Sequence, residues 1–339
     1  MVRAFGASDQ AQLEDVADPV PSPGEVIVAL EASDVNYPDI LYVEGTYQAK
    51  PPLPFTPGLA GAGKVVVLGT GVTGLHLGQR VAVLPSHGTY ADRTSVPEAH
   101  CFPMPEAMPY EVAAAFGLAY QSAWFALTER AAIRQGDTVL VLGATGGISM
   151  ATIQLAKALG ASAVIAATRG EAGMRFAREC GADEAIDVTM DNLRDGLRAA
   201  VLAATDGRGA DIVIDPVGGD VHAAALRALA WSGRLVVVGF VSKDIPKIPA
   251  NYLLVKNITV CGLQWTDYRQ RQPDKVRAAQ AAIFDLWTQG RLAPVISRIL
   301  PIERFGEALA DLRQGRAKGK IVLTTGAGRA SKGGSHARA

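Results

Sequence analysis

Cysteine is scarce: the 339 residues contain 3, at Cys101, Cys180 and Cys261, too far apart in the chain for a metal-ligand cluster or a disulfide framework. Net charge is missing too. Lys plus Arg and Asp plus Glu number 33 each, so no overall field draws the chain to nucleic acid or an anionic membrane, and no nucleic-acid motif offsets this. No apolar run approaches the about 20 residues that span a bilayer, and the opening MVRAFGASDQ carries no apolar leader. These absences predict a cytoplasmic protein of a reducing compartment, with no nucleic-acid partner and no membrane insertion. The length allows a large core and two domains.

Glycine is plentiful, and residues 138–160, TVLVLGATGGISMATIQLAKALG, carry four of the glycines within one patterned stretch. Residues 139–143 form an apolar, β-branched-rich run that reads as a buried parallel strand. A turn of small residues follows, and from Ile148 onward Ile153, Leu155, Ala156 and Leu159 share one helix face. Strand, glycine turn and helix in that order describe the first unit of a dinucleotide-binding domain, where Gly146 and Gly147 leave backbone N–H groups open to a pyrophosphate. Against G-x-G-x-x-G the chain has Ala144 in the first place and Ser149 in the last. An ordinary βα turn is the alternative that these residues alone leave open.

Further strands are expected at 163–167, 211–215 and 234–239, alternating with helices at 171–180 and 191–204, and parallel strands need such crossover helices. Thr168 and Arg169 end the strand where an NAD site usually has Asp or Glu. A hydroxyl and a guanidinium suit a 2′-phosphate instead, with Arg175 as a second source of charge. A surface arginine at a helix start is the plainer alternative. Before residue 118 the chain reads as an irregular β domain, with strands at 25–30, 63–69 and 80–84. Between them, 36–39, 45–47 and 50–54 read as loops, and a helical region opens at Pro109.

Val35-Asn36 with Asp39, Gly45 and Tyr47, Phe55-Thr56-Pro57-Gly58, Gly61-Ala62-Gly63, the 144–149 turn and Gln154-Leu155-Ala156-Lys157 come in an order that resembles a known family. It is the zinc-free medium-chain dehydrogenase/reductase family, in its NADPH:quinone oxidoreductase branch. The resemblance extends through Asn251, Leu253, Lys256, Asn257, Gly262, Trp265 and Tyr268 to Gly319-Lys320-Ile321. It implies an α/β protein: a GroES-like irregular β domain (1–118), a Rossmann doubly wound parallel-sheet domain for NADPH (119–262), and a return to the catalytic domain (263–325). The glycine-, serine- and basic-rich tail from 326 is expected to be disordered.

The resemblance further implies catalytic roles for Asn36 and Tyr47, with Asp39 fixing their loop. It implies NADPH contacts from Ser122, Thr145, Gly146, Gly147, Ile148, Thr168, Arg169, Arg175, Asp215, Val217, Phe240, Trp265 and Lys320. Zinc-dependent relatives carry Cys where this chain has Asn36 and His-Glu where it has Leu59-Ala60, so no metal is expected. Leu59-Ala60 also departs from the Gly-x-Glu of the quinone branch. The implied reaction is hydride transfer from NADPH to a small quinone, with nicotinamide and acceptor meeting in an interdomain cleft. An alkenal or enone reductase is the alternative within that chemistry, and a non-enzymatic NADPH-binding protein the alternative outside it. Residues 258–263 are a candidate edge strand for a homodimer.

Overall fold

The computed structural model describes residues 1–6 and 11–326, and the tail expected to be disordered lies, from 327 on, outside the described residues. Two units form. One takes the chain up to residue 119, residues 272–284 and the chain from 296; the other takes 120–271 and 285–295.

In the first unit β1 (Glu25–Val35) is the strand the others are built on, with Val26, Val28 and Leu30 fully buried. It pairs antiparallel with β2 (Gly61–Leu68) and β4 (Arg93–Pro97), while β3 (Arg80–Val83) joins β2 to β5 (Cys101–Pro103). Gly63 permits the close approach of β2 to β1: a Cβ there would come within 2.0 Å of the Ala29 carbonyl oxygen. Residues 36–39, expected as a loop, instead open helix α1 (Tyr37–Glu44). Asn36 caps it in extended conformation, Pro38 sits in the first turn, where a missing N–H costs nothing, and left-handed Gly45 stops it. Short helices α2 (Tyr110–Ala115) and α3 (Leu118–Phe125) follow.

The second unit holds a six-stranded, wholly parallel sheet. Its chain order is β6 (Thr138–Leu142), α4 (Gly147–Ala158), β7 (Ala163–Thr168), α5 (Gly170–Glu179), β8 (Glu184–Asp187), α6 (Leu193–Ala203) and β9 (Ala210–Asp215). Then come α7 (Gly219–Ala228), β10 (Leu229–Val237), α8 (Ala250–Lys256) and β11 (Thr259–Gly262). Every residue of β6 is buried, because helices cover both faces of a parallel sheet. Leu140, Leu142, Ile165, Val213 and Leu235 meet in its core. In space the order is β11-β10-β9-β6-β7-β8, so the chain runs outward from β6 in one direction and returns to β9 on its other side. That reversal between β6 and β9 is the topological switch point, where open α/β sheets take their ligands.

The return expected at 263 is later and interrupted. Helix α9 (Trp265–Arg271) stays with the second unit: Trp265 Nε1 donates to Gln121 Oε1 at 3.3 Å, and the Tyr268 ring lies 4.6 Å from Phe125. Beyond α10 (Pro273–Thr288), Gln154 Nε2 donates to the Ala293 carbonyl at 2.7 Å. The last elements, β12 (Ile296–Pro301), α11 (Phe305–Arg313) and β13 (Lys320–Thr324), complete the first unit's sheet. β13 runs antiparallel to β1 with Val35 opposite Ile321, which brings Lys320 to the end of β1. Among the described residues no helix is long and apolar enough to cross a membrane.

Candidate active site

The turn between β6 and α4 lies at the switch point. Gly146 precedes α4 with φ −81° and ψ 160°, a conformation open to any residue, and no side chain caps the helix. A Cβ on Gly146 would meet nothing nearer than the Gly143 carbonyl oxygen at 3.8 Å. Neither backbone strain nor packing therefore requires glycine here. Its smallness leaves a cradle in front of the first-turn N–H groups of Gly147, Ile148 and Ser149, which have no partner within the helix. Such a terminus suits an anion, and the pyrophosphate of a dinucleotide fits it. Gly143, at φ 67°, does need to be glycine: a Cβ would come within 2.7 Å of Val217 Cγ2. The loops after β6 and β9 thus abut at the switch point, with Val217 beside the cradle. Ser149, buried, donates to the Leu142 carbonyl at 2.8 Å and ties α4 to the end of β6.

At the end of β7, Thr168 is buried, and a Cβ on Gly173 would meet its Oγ1 at 2.6 Å and Thr145 Cγ2 at 3.4 Å. Thr145, Thr168 and Gly173 are neighbours, and Thr168 fills the space a side chain at 173 would need. Arg169 is exposed, with no hydrogen bond or ion pair among the described residues. Arg175, also exposed, lies 3.6 Å from Glu171 one turn earlier. Asp187 closes this corner, accepting from the Gly170 N–H at 3.0 Å, and these backbone bonds hold its carboxyl below the usual range.

Two residues expected to meet the cofactor are engaged internally. Asp215 is fully buried: Oδ1 accepts from the N–H groups of Val217 and Gly218 at 2.8 and 2.9 Å, and Oδ2 lies 2.7 Å from His222 Nδ1. It shapes the loop that carries Val217. Trp265 is buried with its N–H on Gln121. Ser122 is buried in α3, while Phe240 is exposed, its ring beside Gly218.

The first unit assembles a second cluster around Asn36. Lys320 Nζ lies 2.9 Å from Asp34 Oδ2, 3.0 Å from Asn36 Oδ1 and 3.4 Å from the Val35 carbonyl oxygen. Asp39 Oδ2 accepts from the Asn36 N–H at 2.8 Å and the Tyr90 hydroxyl at 2.9 Å. All five side chains are buried. Burial pushes Asp34 up to about 6 although the Lys320 ammonium opposes it, and Asp39 up to about 7 against the bond from Asn36. It also carries the Tyr90 phenol well above its ordinary value, with Asp39 adding to the shift. Asp34 and Tyr90 carry no motif signal; a carboxylate inside the strand run EVIVALEASDV is the one hint of the former. Tyr47 is not part of this cluster. It follows the far end of α1, a helix of about 12 Å, where its ring stacks on Tyr42 at 4.8 Å. Its hydroxyl has no partner among the described residues.

At the positions of the zinc ligands in zinc-dependent relatives, the Asn36 oxygen is bonded to Lys320, and Leu59 and Ala60 are buried aliphatics without donor atoms. Among the described residues no group of three or more His, Cys, Asp or Glu could hold a metal. A GroES-like β unit and a Rossmann-type unit with an open phosphate turn define the class, that of the nucleotide-dependent dehydrogenases and reductases. Residues 22–106 match the alcohol dehydrogenase GroES-like domain, and residues 147–281 the zinc-binding dehydrogenase family. The quinone oxidoreductase-like protein 2 homolog of Nematostella vectensis is 36% identical over 303 residues, 89% of this chain and 82% of that protein. An NAD-dependent alcohol dehydrogenase structure is 30% identical with TM-score 0.86, covering 96% of this chain and 98% of that one. Mycobacterial Rv1454c complexed with NADPH is 26% identical with TM-score 0.87, covering 95% and 98%. The chain belongs to the medium-chain dehydrogenase/reductase family, in its zinc-independent, quinone oxidoreductase-like branch.

The buried Asp39 yields a prediction. Its folded-state pKa lies above its unfolded value, so the folded chain holds this proton at pH values where the unfolded chain has lost it. The resulting stabilisation is complete below about pH 4 and is lost as pH rises through about 7. Asp39→Asn keeps an oxygen for Asn36 and Tyr90 and cannot ionise. Urea titrations from pH 4 to 8 should show stability falling less steeply for the variant than for the parent; parallel curves would refute the assignment.

Proposed function

We propose that the chain is an NADPH-dependent oxidoreductase that delivers hydride to a small quinone. The observation that carries this reading is Gly146, a glycine required by neither conformation nor packing, in front of an uncapped helix at the switch point. When bound, NADPH supplies the hydride. The chain's own residues do the rest. The first turn of α4 receives the pyrophosphate, and Val217 with Gly143 shapes the wall beside it. Arg169, free of other partners, meets the 2′-phosphate, and the neutral Thr168 stands at the strand-end position where an acid would favour NAD. Asn36 offers an amide N–H to the acceptor oxygen as negative charge develops there, and the Tyr47 hydroxyl orients the acceptor. We also read the chain as cytoplasmic, in keeping with three separate free cysteines.

Purified protein should consume NADPH when a small quinone is added, and more slowly with a conjugated enone. Faster enone reduction would transfer the assignment to that acceptor class, and NADPH binding without consumption would leave a binding protein.

Nucleotide choice has its own test. Arg169→Ala should weaken NADPH binding by about 10-fold or more, the scale of one lost charge-assisted bond, with NADH affinity little changed. Arg175→Ala, whose guanidinium already faces Glu171, should have a smaller effect. Equal NADPH and NADH affinities in the parent would defeat the argument.

The assembly we propose is a homodimer joined along β11. This edge strand pairs with β10 on one side only, and α8 buries none of its residues while exposing Leu254 and Val255. Sedimentation should give a dimer for the parent and a monomer for Leu254→Glu/Val255→Glu. A monomeric parent would contradict it.

A further inference from the structure

We propose that Lys320 is a positioning residue: its ammonium turns the Asn36 amide so that the oxygen faces inward and an N–H is offered to the acceptor. The inference rests on the hydride-transfer reading above and deepens it, and it gives Lys320 a different task from holding the nucleotide.

An ammonium group has three hydrogens to donate and nothing to accept with. Three acceptors surround Lys320 Nζ: Asp34 Oδ2 at 2.9 Å, Asn36 Oδ1 at 3.0 Å and the Val35 carbonyl at 3.4 Å. The side chain is 4% exposed. Asn36 Oδ1 and the Val35 carbonyl accept hydrogen bonds from it, and Asp34 Oδ2 is its ion-pair partner, all within its own unit.

The two ends of an asparagine amide are nearly alike in shape, and hydrogen bonding alone decides which way round it lies. Beside a group that only donates, the oxygen must face in. Asn36 Nδ2 is then directed away from Lys320, where one N–H reaches the Asp34 carbonyl at 3.4 Å. The amide also hydrogen-bonds the Asp34 carboxyl, and beyond Asp34 Nδ2 meets no further residue among those described. A charged donor on the oxygen also polarises the amide and strengthens its N–H groups as donors. Asp39 holds the backbone N–H of the same residue at 2.8 Å, so Asn36 is fixed both in the main chain and at its side chain. Asp34 supplies the charge that lets a buried ammonium exist here, since an unpaired one would neutralise.

The test is Lys320→Met in the full chain. Asp34→Asn/Lys320→Met, which strands no buried carboxylate, serves as the second variant in case the first fails to fold. Both should lower quinone turnover about 10-fold while leaving the NADPH dissociation constant within about twofold of the parent. Asparagine-selective ¹⁵N labelling supplies a readout independent of turnover, because the other asparagines are Asn192, Asn251 and Asn257. In the parent the Asn36 amide should give two well-separated, slowly exchanging protons, and in both variants that protection should be lost. A tenfold or greater loss of NADPH affinity in the double variant would overturn the proposal in favour of a cofactor contact. Unchanged turnover with an unchanged Asn36 amide would overturn it outright. A parent that binds NADPH but reduces no acceptor defeats the reading of the previous section, while the amide protons still decide this one.

Discussion

The first-turn N–H groups of α4 have no partners in their helix, and the chain provides no side-chain cap for them. Much of the nucleotide unit is arranged around that vacancy in hydrogen bonding. β6 is buried along its whole length, so the turn that follows it starts from a fixed point. Ser149 fastens the helix to the end of that strand, and Gly143 lets the loop after β9 press against the turn. Asp215 and His222 hold that second loop from beneath. An anion at the helix start would accept hydrogen bonds from these N–H groups.

The first unit solves a different problem, that of holding a short polar side chain firmly at the end of a strand. Its means is a buried ion pair, an expensive device, because removing two charges from water costs more than packing aliphatics in the same space. Asp34 and Lys320 lie 2.9 Å apart through the pairing of β1 with β13. The return is definition: Asn36 is bonded through its backbone N–H and its side-chain oxygen, to residues on either side of it in the fold. Registry of the last strand thus becomes part of the site's geometry.

The nucleotide unit was legible in sequence because its signals are local. A β-branched run, a turn of small residues and an amphipathic helix occupy 138–160, and the strands that follow recur with the period that crossovers demand. Helix α1 escaped because Tyr-Pro-Asp looks like loop chemistry, yet the same residues make a well-formed helix start. Asp215 and Trp265 show the converse: a strand-end carboxylate and an aromatic are visible in sequence, but their burial and their bonds to Val217, Gly218, His222 and Gln121 are not. The partners of Asn36 were hidden for a further reason. Lys320 is 284 residues away in the chain, and no local pattern announces a long-range strand register.

The claim on which the account depends is that the space beside Gly146 exists for the pyrophosphate of a nucleotide. Its φ of −81° and the open space around it mean that Gly146→Val should fold without strain. Calorimetric titration of NADPH into parent and variant, with melting temperatures measured alongside, tests this directly. The account predicts unchanged melting and an NADPH affinity lowered at least 10-fold, about 1.4 kcal/mol. A variant that melts like the parent and binds NADPH equally well would contradict it.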